Sequence, residues 1–209
     1  MMTLHDITAP SVPVDWAAHA VMQHVSGIAP VLRALELEAA HVGLWATQLA
    51  ERLEAGGRLL VAGNGGSAAE AQHLAAEFVG RFHTERRPYA AMALNCDSSA
   101  ITAIGNDYGF QEVFARQVRA HARPGDILLL LSTSGASANL IEAARAAAES
   151  RAVSWAITGP LPNPLSTVCD DTIALPGSAA NVQEVELVAV HALCVAFDVL
   201  VGADEEVER

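Results

Sequence analysis

Two stretches of this 209-residue chain carry side chains that could do chemistry together. His73 and Glu77 lie four residues apart, a spacing that stacks both on one face of a helix, one turn apart. An imidazole and a carboxylate so placed can chelate a divalent metal. The same pair also suits a plain surface contact or a buried histidine bonded to its neighbour. Further on, Gln183 and His191 lie in one helical stretch, about 12 Å of rise apart. His191 sits among Val188, Val190, Leu193 and Val195, where a satisfied core histidine is the ordinary reading. Periodicity alone does not pair these two residues.

Two loops have the chemistry of an anion site. STSGAS (132–137) offers the hydroxyls of Ser132, Thr133, Ser134 and Ser137 around Gly135. It precedes a helix start, where free N–H groups and the helix dipole favour negative charge. Simple capping by Ser134 or Ser137 is the plainer alternative. GNGGS (63–67) combines Asn64, Gly65, Gly66 and Ser67. It is neither a dinucleotide fingerprint nor a P-loop, since no G-K-[ST] follows. Its glycines would let a ligand approach the backbone.

The elements that must position these groups follow from the apolar pattern. RLLVAG (58–63), YAAMAL (89–94), DILLLLS (126–132), AVSWAIT (152–158) and DTIAL (171–175) read as five strands. The unbroken ILLLL run is that of a strand covered on both faces. Helices are expected at 68–81, across most of 97–120 with a break around 105–109, at 137–150 and at 181–201. Strands alternating with helices predict a three-layer α/β/α sandwich on a mainly parallel five-stranded sheet. Both ligand loops directly follow strands, at the ends where such sheets bind ligands. Residues 15–55 have helical spacing, with an interruption expected near Pro30. We therefore expect a leader and helical extension over 1–55, the α/β domain over 56–203 and an acidic tail over 204–209. The extension is apolar enough to suggest packing on the core and on another subunit.

Composition sets further bounds. A net charge of −12 argues against a nucleic-acid surface. It leaves open a small phosphorylated ligand held by amides and hydroxyls. No apolar run approaches a membrane span, and no signal peptide is recognisable at the N-terminus. Cys96, Cys169 and Cys194 are scattered, as expected of reduced thiols in the cytoplasm.

GNGGSAAEAQHLAAEFVGRF (63–82), ITAIGNDYGF (101–110), STSGASANLI (132–141) and VQEVELVAVHAL (182–193) together resemble the sugar isomerase (SIS) domain family, in its sedoheptulose 7-phosphate isomerase branch. The likeness runs in order from about residue 30. It implies aldose–ketose interconversion of a seven-carbon sugar phosphate, a zinc ion and a homotetramer with sites at subunit interfaces. Metal ligands would be His73, Glu77, Gln183 and His191. Substrate contacts would be Asn64, Gly65, Gly66, Ser67, Asn106, Asp107 and Gln183, with Ser132, Thr133, Ser134 and Ser137 around the phosphate. Glu77 would be the base and His191 its acid partner.

Three departures stand against these matches. Ala136 replaces the usual Asn of S-G-N-S, Glu186 replaces the usual His of Q-E-x-H, and TGPLPNPL (158–165) replaces a T-G-x-x-G-G pattern. They are expected at the ligand rim, where they would bear on which sugar is bound. Two alternatives follow: a non-catalytic relative that binds the bacterial replication initiator, or an isomerase for another phosphosugar. The regulator typically lacks the residues matching Glu77 and His191, and both are present here.

Overall fold

Alternating strands and helices produce a wholly parallel sheet in the computed structural model, which describes residues 14–202. Most of the expected leader and the acidic tail lie outside the described residues. Two helices, α1 (Val14–Leu37) and α2 (Ala39–Glu54), come first. Then follow β1 (Leu59–Gly63), α3 (Gly66–Val79), β2 (Ala91–Ala93), α4 (Ser98–Tyr108), α5 (Ala115–His121) and β3 (Ile127–Ser132). α6 (Ala138–Glu149), β4 (Val153–Thr158), β5 (Asp171–Ala174) and α7 (Ala179–Leu200) complete the chain. Strand order is β2-β1-β3-β4-β5, with Val61 beside Leu129 and Leu129 beside Trp155.

Successive strand side chains point to opposite faces, and both faces are buried. Leu59, Val61, Ile127, Leu129, Leu131, Trp155 and Ile157 pack against α1, α2, α3 and α7. Leu60, Ala62, Leu128, Leu130 and Ala156 pack against α5 and α6, with Ile101 and Ile104 of α4 alongside. That double coverage explains why β3 has no polar alternation. The chain moves one way from β1 to β2 and the other way from β3 to β4. A crevice therefore opens beyond the C-terminal ends of β1 and β3, the switch point of the sheet.

Two expectations are corrected. Pro30 does not interrupt the first helix; it lies inside α1, and the break falls at Glu38. A proline forfeits one backbone bond, yet Val31 and Leu35 on the next turns are buried and hold the helix to the core. The second strand is shorter than 89–94, because only Ala91–Ala93 pair with β1 at this sheet edge. All three cysteines are free thiols. Burial pushes Cys169 and Cys194 up to about 12, so neither ionises near neutrality.

The helical extension is tied to the far edge of the sheet by a polar latch. Asp171 at the start of β5 accepts from Trp45 Nε1 at 2.8 Å and pairs with His41 Nε2 at 2.8 Å. His41 Nδ1 meets Glu38 at 2.9 Å, and Trp45 stacks on Trp155 at 4.7 Å and 10°. Burial pushes the His41 imidazole down, but hydrogen bonds and charge from Asp171 and Glu38 outweigh it and the net shift is up. Burial likewise opposes Asp171, and bonds from His41 and Trp45 carry it down overall. The raised imidazole contributes stability below its ordinary value that is lost as pH rises through the folded value. The lowered carboxyl contributes stability that is lost as pH falls through its own. His41→Ala should therefore lower Tm by about 2–4 °C near pH 6 and by clearly less near pH 9. Thermal melts at the two pH values check this, and equal losses would mean the latch carries no charge.

Candidate functional site

The site is built where α3 and α7 pack side by side, pointing the same way. Gly66, Ser67, Glu70, His73 and Glu77 recur at helical spacing along α3, and all but Glu70 are expected from motif or spacing. Along α7 the facing residues are Gln183, Glu186 and His191. The helices meet in register. The Gln183 amide lies against Gly66, Ser67 Oγ donates to Glu186 Oε2 at 2.7 Å, and His73 faces His191.

His73, Glu77 and His191 converge, with one ligand atom from each lying within 4.8 Å of the others. His73 Nε2 is 2.9 Å from His191 Nε2 and 3.0 Å from Glu77 Oε1. Two imidazole nitrogens so close share either one proton or one cation. Two nitrogens and a carboxylate oxygen at this spacing are the donor set of a three-residue zinc centre. The residues present therefore fit a divalent metal. Burial pushes the His191 imidazole down, and the neighbouring His73 adds to it, which favours the neutral form a metal ligand needs. Phe82 packs against the His191 ring at 5.0 Å and fixes its tilt. His73 remains 43% exposed and Glu77 19%, so the cluster opens to the surface.

The C-terminal end of α3 is anchored just behind Glu77. Arg86 donates to the Glu77 carbonyl at 2.7 Å and to the Phe78 carbonyl at 3.2 Å, and the latter also accepts from the Tyr89 amide at 2.9 Å, so carbonyls at the helix end are capped from outside the helix. Its Nε bonds Asp198 of α7 at 2.7 Å, in a pair that is nearly fully buried. Phe78, Tyr89 and Phe197 surround the guanidinium with ring centroids 5.4–5.5 Å away.

The ligand loops lie at the switch-point crevice. A cavity of about 570 Å³ is lined by Asn64 and Gly65 after β1, by Ser137, Ala138 and Asn139 at the start of α6, and by Phe110 and Gln111. Asn64 and Asn139 exchange amide bonds at 2.9 Å and so join the two loops. In the serine loop, Ser132 Oγ accepts from the Gly135 amide at 3.1 Å and Ser134 Oγ from the Ala136 amide at 3.2 Å. Both hydroxyls thus keep their own protons to donate. Ser137 makes no capping bond at the head of α6, which disposes of the plain capping role for it.

Other expected residues sit elsewhere. Asn106 and Asp107 are exposed on α4 and bond each other at 2.8 Å, outside the lining of this cavity. Gln183 lies at the head of the α3–α7 groove, about 10 Å of rise from the level of His73. Glu186 is corrected outright: expected at the rim, it is fully buried. The 158–165 loop does reach the ligand loop, since the Asn163 side chain is wedged against Gly135. Residues missed from the sequence are Phe110, Gln111, Asn139, Asn163 and Glu70. Phe110 closes the GNDYGF stretch and Asn139 the STSGASAN stretch, so motif extent was the available signal for those two.

A parallel α/β sheet with a hydroxyl-rich loop at its switch point and a His–Glu–His cluster between α3 and α7 defines a sugar-phosphate isomerase domain. The SIS domain profile matches residues 23–159. Phosphoheptose isomerase of Streptomyces coelicolor is 52% identical over 190 residues, covering 90% of this chain and 82% of that protein. Among solved structures, phosphoheptose isomerase from Neisseria gonorrhoeae superposes with a TM-score of 0.80 at 38% identity, covering 88% of this chain and 99% of that one. The Francisella tularensis phosphoheptose isomerase gives 0.82 at 34% identity, covering 90% and 99%. The chain belongs to the SIS domain family, in its phosphoheptose isomerase branch, and is an enzyme; the non-catalytic regulator is set aside.

Gly135 has φ +59°, and a Cβ there would lie 2.2 Å from the Asn163 side chain. Gly135→Ala should cost about 2 kcal/mol, or about 4–8 °C in Tm, and weaken binding of inorganic phosphate. Melts and titration calorimetry check both effects, and an unchanged phosphate affinity would remove the loop from the anion site.

Proposed function

We propose that the protein interconverts D-sedoheptulose 7-phosphate and D-glycero-D-manno-heptose 7-phosphate. The convergence of His73, Glu77 and His191 between α3 and α7 carries this reading, and the names of relatives up to 52% identical support it. The phosphate is held by Ser132, Thr133, Ser134 and Ser137 at the head of α6. Asn64, Gly65, Gly66 and Ser67 border the sugar, with Asn106 and Asp107 contributing from another subunit. A long sugar phosphate has its anion and its carbonyl at opposite ends, which suits an anion loop and an acid–base cluster set apart along one groove.

Isomerisation moves a proton between adjacent carbons. Glu77 removes the proton from C1 of the ketose while the C2 oxygen gains one, giving an enediol. His191 handles the oxygen-bound protons, and return of a proton to C2 with loss of the O1 proton completes the aldose. A divalent metal, zinc by its donor chemistry, would be held by His73, Glu77 and His191, Glu77 exchanging that role for the base's when substrate binds; Gln183 would join them only by turning its side chain away from Gly66. When bound, it supplies polarisation of the carbonyl and its neighbouring hydroxyl. Arg86 and Phe82 do the positioning, the one behind Glu77 and the other against His191.

We assign assembly as a homotetramer to the apolar faces left on the helices. Trp16, Val21, Met22 and Val25 are all more than half exposed on α1, and a groove between α1, α2 and α7 is lined by Leu32, Leu35, Val42, Val188 and Val195. Light scattering should give four times the chain mass, and a monomer at micromolar concentration would overturn the assignment. For the chemistry, wild-type protein should turn over sedoheptulose 7-phosphate and lose activity with a chelator. Glu77→Gln should lower kcat by at least about 100-fold with the fold intact. Turnover confined to another phosphosugar, or near-normal rates in the Gln variant, would refute the corresponding part.

A further inference from the structure

Between the Gly66–Gln183 contact and the His73–His191 contact, two carboxyls meet in the seam. Glu186 on α7 is fully buried, and the half-buried Glu70 of α3 is its carboxyl neighbour across the seam. Neither has a basic partner among the described residues. The groups facing them are Ser67 of α3, whose hydroxyl donates to Glu186 Oε2, and Glu184 of α7. Glu184 itself is drawn to His24 of α1 at 3.0 Å. One buried oxygen of each carboxyl, Glu70 Oε2 and Glu186 Oε1, has no donor at all. Two ionised carboxylates cannot donate to each other, and a buried pair of like charges is costly. A single proton placed between them supplies the missing donor and removes one charge.

We propose that Glu186 is a positioning residue of the isomerase site: it holds a proton shared with Glu70 and, through Ser67, fixes the loop after β1, which the Asn64–Asn139 bonds join to the loop after β3. This rests on the isomerase reading for its functional consequence, but not for its chemistry. Burial pushes both carboxyls up, and Glu186 is fully buried where Glu70 is only half-buried, so the charge is costlier on Glu186 and the proton belongs there. The protonated Glu186 donates to Glu70 while its Oε2 accepts from Ser67. Because Ser67 spends its only proton on Glu186, it faces any sugar as an acceptor. It can receive a bond from a hydroxyl and cannot offer one to phosphate. The serine loop, whose Ser132 and Ser134 hydroxyls keep their protons, is left as the anion end.

Glutamine reproduces a protonated glutamate: its amide donates to Glu70 and its oxygen accepts from Ser67. Glu186→Gln should therefore stay within about twofold of wild-type KM for sedoheptulose 7-phosphate. Glu186→Ala should raise KM about tenfold or more, with a smaller change in kcat, and weaken inorganic phosphate binding measured by calorimetry. Ser67→Ala, which removes the donor to Glu186 Oε2, should raise KM in the same sense. The second readout needs no turnover. A carboxyl raised on folding contributes stability at low pH that is lost as pH rises from its ordinary value through the folded value. Glu186→Gln lacks that loss, so its Tm relative to wild type should climb between pH 6 and pH 9. A Gln variant as impaired as Ala, a wild-type KM in Ser67→Ala, or a pH-independent Tm difference would each overturn the proposal. A wild-type protein inert toward this sugar phosphate would instead strike the functional reading, and the Tm and phosphate-binding comparisons would then decide the role of the pair.

Discussion

The side-by-side packing of α3 on α7 is the constraint on which the rest of the molecule depends. Each helix alone carries an incomplete set of polar groups, and only their matched register brings those groups together. Apolar contacts set that register at depth, where Leu74 and Phe78 of α3 share a core with Val190, Leu193 and Phe197 of α7. The Arg86–Asp198 pair pins the C-terminal half, and aromatic rings around the guanidinium keep water away from it. A buried pair of this kind is costly to break from one side, so it specifies a unique alignment more than it adds net stability.

The sheet supplies the second half of the arrangement. Parallel strands require crossovers, and the change of direction between β1 and β3 leaves their C-terminal ends uncovered. Both ligand loops arise there because each strand must turn abruptly into a helix. Positive-φ glycines, Gly65 and Gly135, make those turns feasible. The Asn64–Asn139 amide exchange then joins the turns at the surface, while Glu186 holds the first of them from below through Ser67. Rigid elements carry the groups, and short polar bridges set their spacing, which is how a site keeps its geometry without bulk.

The sheet and most helices were legible in the sequence, because buried parallel strands write unbroken apolar runs such as Ile127–Leu131. Strand order was not legible, since it depends on which crossovers lie on which face. Pro30 misled because its local penalty is small beside the burial of Val31 and Leu35. Of the site, His73 with Glu77 followed from spacing on one helix. Their meeting with His191 came from family likeness, since residues 118 positions apart leave no periodic signal. Glu186 was the clearest misplacement. A charged residue is ordinarily assigned to the surface, and nothing local announces that a second carboxyl and a serine await it in the interior. Asn163 was hidden for the same reason, being defined by what it touches across the fold.

The arrangement of the tryptophans carries a practical consequence for optical spectroscopy. The chain has three. Trp45 and Trp155 lie face to face in the core, each 1% exposed, while Trp16 is 72% exposed on α1. Stacked indoles couple electronically, so the near-ultraviolet dichroism of this pair reads whether α2 remains seated on the sheet. Trp16 emits from the helix face assigned to subunit contact, and its quenching by a small solute reads that face alone. Core integrity and association can thus be followed in one cuvette as two separable signals, with no label attached.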